Sequence, residues 1–199
     1  MHFIKPVTLT GRNWVVLEPL QREHADELLA AARDGELWKL WYTSVGDPDA
    51  VVGYIDTALK VREELGAMPF VVRRKSDRKV VGSTRFFNVD AKSRRLEIGH
   101  TWYSKSAQRT GINTETKLIL LRHAFETLNC IAVEFRTHWF NFDSRAAIAR
   151  LGAKQDGVLR NHQLAPNGTL RDTVVFSIIA SEWPTVKAHL RFQLNKPRD

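Results

Sequence analysis

Residues 106–125, SAQRTGINTETKLILLRHAF, set a polar turn with a single glycine directly against a long helical run. The first turn of any helix presents backbone N–H groups with no partner inside the helix, and the helix dipole adds partial positive charge there. Such an end binds phosphate. Gly111 lets the backbone approach a bulky anion and can take a positive φ, while Arg109 and Lys105 add charge-assisted contacts. The amides of residues 109–114 can therefore cradle a pyrophosphate. No Gly-Lys-Ser/Thr closes the turn as in a P-loop, and the three spaced glycines of a dinucleotide fingerprint are missing. On its own, one glycine before a helix is also an ordinary turn.

Other residues carry two readings each. Asn141 and Ser144 form Asn-x-x-Ser at a helix start, which a plain N-cap explains without chemistry. His100 titrates near physiological pH and suits proton traffic, or it packs within a sheet. Trp38, Trp41 and Tyr42 have helical spacing, which fits core packing; exposed, they would line an aromatic acceptor site. Cys130 is the one cysteine, so an internal disulfide framework is excluded and a reducing compartment is expected.

The elements that must position these residues follow from periodicity. Residues 14–20 read as a strand, and residues 22–34 as a helix with Ala25, Leu28, Leu29 and Ala32 on one stripe. A short helix is expected within residues 35–45. A longer one follows Asp47 as N-cap and Pro48 in the first turn, and stops at Gly66. Two strands flank a hairpin at residues 75–78, and a third includes EIGHTWYS. The helix after the glycine turn carries Leu118, Leu121, Phe125 and Leu128 on one face. Residues 132–138 alternate, with Val133, Phe135 and Thr137 facing one way. A helix stopped by Gly152, two strands joined by APNGT, and a last helix with Ser181 as cap and Pro184 in its first turn complete the chain. This order makes an α/β (α+β) fold, a mixed sheet with helices on both faces.

The chain has 199 residues, which fits one domain over residues 1–199. No apolar run is long enough to span a bilayer and the N-terminus lacks a signal peptide core, so a cytoplasmic protein without a membrane partner is expected. The net charge of +8 attracts polyanions, either nucleic acid or a phosphorylated cofactor. The basic residues are scattered, which disfavours a nucleic-acid module.

Four stretches, in the right order and spacing, resemble the GCN5-related N-acetyltransferases (GNAT), in the branch of the ribosomal-protein alanine N-acetyltransferases. Gln108-Arg109-Thr110-Gly111-Ile112-Asn113 is similar to the family's Gln/Arg-x-x-Gly-x-Gly/Ala turn, with Asn113 in place of the second small residue. EIGHTWYS, NFDSRAAIARLGAKQDGVLRN and LRDTVVFSIIASEW resemble the strands and helix around it, with Ala153 replacing the usual aromatic after Leu-Gly.

The resemblance implies direct acetyl transfer from acetyl-CoA, as cosubstrate and without metal, to an amine. It implies a mostly antiparallel sheet splayed between its fourth and fifth strands, where the pantetheine lies like an added strand. Coenzyme contacts would come from Trp102, Tyr103, Gln108, Arg109, Thr110, Gly111, Ile112, Asn113, Thr114 and Asn141, and Ser144 would donate to the thiolate. Candidate bases are Glu97, at a position where the family often places a catalytic glutamate, His100 and His162. Glu97 can equally be a carboxylate paired with an arginine. Gln163 stands where the branch carries a catalytic glutamate, so that role moves or vanishes. The acceptor would meet Trp38, Trp41, Tyr42, Phe86, Trp139 and residues 155–164, with Arg85 and Arg136 holding a carboxylate or peptide backbone. It would be a peptide N-terminus, an amino acid or a small amine. The family commonly forms homodimers. A coenzyme-binding protein without catalysis is the alternative.

Overall fold

The computed structural model describes residues 3–36, 39, 50–165 and 167–196. Trp38, Trp41, Tyr42, Asp47 and Pro48, with most of the short helix expected within residues 35–45, lie outside the described residues. The order is β1 (Leu9–Thr10), β2 (Val15–Pro19), α1 (Ala25–Arg33), α2 (Val51–Leu65), β3 (Met68–Arg74), β4 (Val80–Asp90), β5 (Arg95–Tyr103), α3 (Ile112–Arg122), β6 (Ala132–His138), α4 (Phe142–Ala149), β7 (Lys154–Leu164), β8 (Leu170–Ile179) and α5 (Trp183–Asn195). The two-residue β1 is an addition to the expected order, so the family's fourth and fifth strands are β5 and β6.

Turn chemistry sets several boundaries as expected. Gly66 ends α2 with a left-handed φ of 68°. Asp77 tightens the β3–β4 hairpin by accepting from the Lys79 amide at 3.2 Å and the Arg74 side chain at 3.0 Å. The cap of α5 differs: Glu182, not Ser181, occupies it. Glu182 accepts from the Ile179 amide at 3.3 Å and pairs with Lys154, so a long-range ion pair holds the turn expected of Ser181.

The eight strands form one sheet in the order β1-β2-β3-β4-β5-β6-β8-β7. Every neighbouring pair is antiparallel except β5 and β6. One face packs Phe70, Phe86, Leu96, Ile98, Val133 and Phe135 against Leu120 of α3 and Leu190 of α5. The other packs Val71 and Trp102 against Leu28 of α1 and Ile55 of α2. Phe70, Phe86 and Phe135 are fully buried, each worth about 1.5–3 kcal/mol in area removed from water. The apolar face of α3 is broader than expected, with Ile119 and Leu120 buried and Leu118 only half-buried.

Two irregularities position the site. The first is in β5. Against β4, Trp102 pairs with Ser83 and Gly99 with Arg85, so His100 and Thr101 together oppose Thr84. His100 takes a left-handed φ of 48°, a bulge that reverses which face later residues occupy. Leu96 and Ile98 join the α3 face before it; Tyr103 joins that face after it, and Trp102 the other. β5 pairs with β6 only from Arg95 to Glu97, against Ala132 to Glu134. Past that point both strands stay paired on their outer edges, β5 with β4 and β6 with β8. The inner edges therefore diverge with free main chain on either side.

The second irregularity anchors the helix after the glycine turn. Glu115, buried in the first turn of α3, accepts from the amides of Asn13, Trp14 and Val15 at 2.9, 2.6 and 2.9 Å. Trp14 then lies against Gly111 so closely that a Cβ there would stand 2.4 Å from the indole. Gly111 has φ −71°, and the left-handed residue of the turn is Arg109, at 58°. The glycine is thus required by the approach of Trp14, not by a positive φ. Glu115→Ala is expected to lower stability by about 3 kcal/mol in urea unfolding, because three amides lose a charged acceptor. Unchanged stability would show that this carboxylate anchors nothing.

Candidate active site

A cavity of about 360 Å³ fills the opening between β5 and β6. One wall is residues 98–103 of β5, the other Phe135, Arg136, Thr137 and His138 of β6. Asn141, Ser144 and Ala147 of the α4 region and Asn113 and Lys117 of α3 also line it.

At the helix end, the amides of Gly111, Asn113 and Thr114 find no partner among the described residues. An anion cradle of the expected kind would use such amides. The side chains around it brace the loop. Gln108 Nε2 donates to the Tyr103 carbonyl at 3.0 Å, and the Tyr103 hydroxyl donates to Asn113 Oδ1 at 3.2 Å. Thr110 Oγ1 donates to the Ala107 carbonyl and accepts from the Ile112 amide. Ile112 is fully buried, so only its main chain is available to a ligand, and Thr114 Oγ1 accepts from Arg150. Arg109 is exposed and has a long cationic side chain to offer. Asn113, the departure from the small residue of the turn, is accommodated by Tyr103.

The Asn141 side chain caps α4, accepting from the Ser144 amide at 3.0 Å. The capping role is therefore real, and both residues also line the cavity.

The expected bases separate. Glu97, at the last paired position of β5, is 3% exposed. It accepts from Asn88 Nδ2 at 2.8 Å and sits 3.5 Å from Arg136. Burial pushes its pKa up to about 7, against the pull of Asn88 and Arg136. It is at once an arginine partner and a carboxylate poised to titrate near neutrality. His100 lines the cavity and packs edge-on to Phe87 with ring centroids 4.9 Å apart. Its pKa is lowered by crowding and by Arg85 and Arg171. Solvent on the open side of the ring tempers the first cause, but both guanidiniums act the same way, so the imidazole is neutral at pH 7. His162 does not reach the cavity; it lies on β7 with Nδ1 3.1 Å from Thr173 Oγ1. Gln163 is exposed beside Arg171 in the β7–β8 ladder.

The acceptor-side expectations need correction. Phe86 is wholly buried, edge-on to Phe70 and stacked near His123, and cannot wall a pocket. Trp139 is held under Arg145 at 4.3 Å and, like residues 155–164, does not line the cavity. Arg136 is committed to Glu97 and Glu134. Arg85 is 4% exposed on the same sheet face as Glu97.

An acetyltransferase (GNAT) domain model matches residues 15–154. The chain belongs to this family. A solved structure from T. thermophilus, provisionally named an acetyltransferase, is 33% identical with a TM-score of 0.83, covering 96% of this chain and 98% of that one. A GCN5-related N-acetyltransferase from Brucella melitensis is 28% identical with a TM-score of 0.86, covering 96% and 86%. YdaF of Bacillus subtilis (strain 168), provisionally named a ribosomal N-acetyltransferase, is 33% identical over 107 residues. That match spans 54% of this chain and 57% of the relative.

Within this GNAT fold, several cavity residues escaped sequence reasoning. Lys117 looks like a surface residue of an amphipathic helix, yet it is 5% exposed and points into the cavity, donating to Thr101 Oγ1 at 2.7 Å. Burial alone brings its pKa down to about 7. The signal was its place between Thr116 and Leu118, one turn past Asn113, on a helix buried on most sides. His138, with Nδ1 accepting from the Phe140 amide at 3.1 Å, and Arg171 line the opposite wall.

Lys117→Met is expected to raise the melting temperature near pH 7, since it removes a buried amine. The folded chain holds fewer protons than the unfolded one between about 7 and the ordinary lysine value of 10.5. The wild type therefore gains stability as pH climbs through that window, and the advantage of the variant shrinks. A pH-independent difference in thermal unfolding would contradict the buried-lysine account.

Proposed function

We propose that this GNAT protein is an N-acetyltransferase that moves an acetyl group from acetyl-CoA directly to a primary amine within one ternary complex. The observation that carries this reading is the opened β5–β6 pair leading straight to a helix end with unpaired amides. A long coenzyme with a diphosphate at one end and an acyl thioester at the other matches that shape. Its bound form supplies an activated carbonyl; the transfer forms a C–N bond and breaks a C–S bond.

The residues divide the remaining work. The amides of Gly111, Asn113 and Thr114, with Arg109, hold the diphosphate. The free inner edge of β5 offers main-chain groups to the pantetheine and to the thioester oxygen, which gains negative charge during attack. The incoming amine is largely protonated at pH 7 and must lose a proton. Glu97, with its raised pKa, lies just behind the cavity wall and takes that proton through a relay that includes the neutral His100 of the wall. Ser144 Oγ supplies a hydrogen bond to the departing sulfur. Arg85 belongs to the acceptor side. The acceptor is a protein N-terminus, an amino acid or a small amine, and the name carried by YdaF supports the first. No described helix is long and apolar enough to cross a membrane, and a lone buried cysteine suits a reducing compartment; we place the reaction in the cytoplasm.

Calorimetric titration with CoA and a thiol-release assay over an amine, amino-acid and peptide library test the proposal. CoA is expected to bind, and at least one amine class to release thiol. Ser144→Ala should lower kcat by about tenfold with little change in CoA affinity. CoA binding without transfer to any acceptor would favour a coenzyme-binding protein without catalysis, and no binding would end the reading.

The acid limb of kcat/KM is expected near pH 7, with activity lost as Glu97 protonates below its pKa of about 7. Glu97→Gln should flatten this limb and lower the plateau. A limb unchanged in the variant would assign the base elsewhere.

A further inference from the structure

The face of the sheet that carries Glu97 also carries four arginines. Arg85 on β4, Arg95 on β5, Arg136 on β6 and Arg171 on β8 share it with Glu97 and Glu134, while Asp90 lies opposite Arg95 and Asp156 accepts from Ser177. Arg95 and Arg136 both bind Glu134, at 2.7 and 3.0 Å, and Arg136 also reaches Glu97. That leaves Arg85 and Arg171 without a carboxylate in hydrogen-bond range among the described residues.

Arg85 is the sharper case. It is 4% exposed, and its Nε is buried with no hydrogen-bond partner among the described residues. Its guanidinium lies over the Tyr54 ring, with Cζ 5.3 Å from the centroid. A cation–π contact returns about 0.5–2 kcal/mol, less than the several kcal/mol that burying an unpaired charge costs. Tyr54 is itself fixed: its hydroxyl donates to Ser83 Oγ, which donates to the Phe70 carbonyl. The guanidinium is therefore held in place, and its cradle is rigid. In the ladder it lies beside Gly99, against which the Phe87 ring packs; Arg85 sits just behind Tyr54, Gly99 and His100, which line the cavity. Arg171, half-buried, lines the cavity from the other side of the opening, tethered to Thr173 Oγ1 through Nε at 3.2 Å. Both guanidiniums lie close enough to His100 to act on its charge.

We infer that Arg85 and Arg171 form an oxyanion-binding subsite, so that the preferred acceptor is an amine bearing a nearby carboxylate or phosphate. This deepens the transferase reading and rests on it. Arg171 lines the opening from β8 and Arg85 backs its opposite wall from β4, while Glu97 lies between them on the same face. An acceptor anchored by its anion would present its amine next to the base. Arg136 takes no part, being neutralised by the glutamates. The anion can be the acceptor's own small carboxylate, a phosphate, or an acidic side chain next to a peptide N-terminus.

The test uses matched amine pairs with the full chain and acetyl-CoA. These are alanine against alaninamide, aminoethyl phosphate against ethanolamine, and an alanyl-glutamyl peptide amide against its alanyl-glutaminyl counterpart. In at least one pair the anionic member is expected to have a kcat/KM at least about tenfold higher. The responding pair identifies the source of the anion. Arg85→Gln and Arg171→Gln should each collapse that ratio toward one, while Arg85→Lys keeps part of it. Calorimetry with CoA checks that each variant is folded and coenzyme-competent. If transfer proceeds with no preference in any pair, or the variants leave the ratio intact, the subsite is overturned while the transferase reading stands. If no member of any pair is acetylated while another amine of the library is, the subsite is overturned and the transferase reading stands; if nothing in the library is acetylated, both fall.

Discussion

Main-chain pairing between β5 and β6 ends after Glu97 and Glu134, and everything the site can do depends on that end. Two parallel strands normally continue to exchange hydrogen bonds for as long as they run side by side. Here a bulge at His100 bends β5 and swaps the faces of its later residues. A non-glycine residue in a left-handed conformation costs free energy, and the structure holds it there through pairing with β4 on both sides of the bulge. The result is two free backbone edges facing a cavity, which would be a defect in a closed sheet and which the proposed function uses as a binding surface.

The loop before α3, which the proposal assigns to the diphosphate, depends on a different lock. Glu115 gathers three amides from the segment before β2, and Trp14 from that segment covers Gly111. The first turn of α3 is thereby fixed against the opposite end of the sheet, with its own free amides aimed outward. Preorganised donors of this kind need no rearrangement to receive charge. Tyr103 and Gln108 tie the same loop back to the end of β5, so the cavity and the loop are braced as one unit.

Most elements are legible in the sequence, because the signals for them are local. Gly66 stops a helix, Asp77 closes a hairpin, and residues 132–138 alternate as a half-buried strand should. The glycine turn before α3 and the Asn141–Ser144 cap can be located for the same reason. What cannot be read is long-range. Nothing around EIGHTWYS says that His100 is left-handed; that follows from the mismatch with β4. Glu115 looks like a helix-surface carboxylate until Asn13, Trp14 and Val15 come to it across a hundred residues. Arg85 and Arg136 look alike in sequence, yet one is neutralised by glutamates and the other is buried without them. Phe86, expected at the acceptor wall, lies in the core, because strand parity alone cannot tell which face the acceptor uses.

Electrostatics then divide the cavity into two sides. Toward α3 there is a lysine whose charge burial suppresses, and toward the opposite face a titratable glutamate among arginines. The most direct measurement is a crystal structure grown with CoA. The account predicts pantetheine hydrogen-bonded to the main chain of residues 100–103, between β5 and β6, with the diphosphate on the amides of Gly111, Asn113 and Thr114. Coenzyme bound elsewhere, or β5 and β6 zipped together past Glu97, would contradict it.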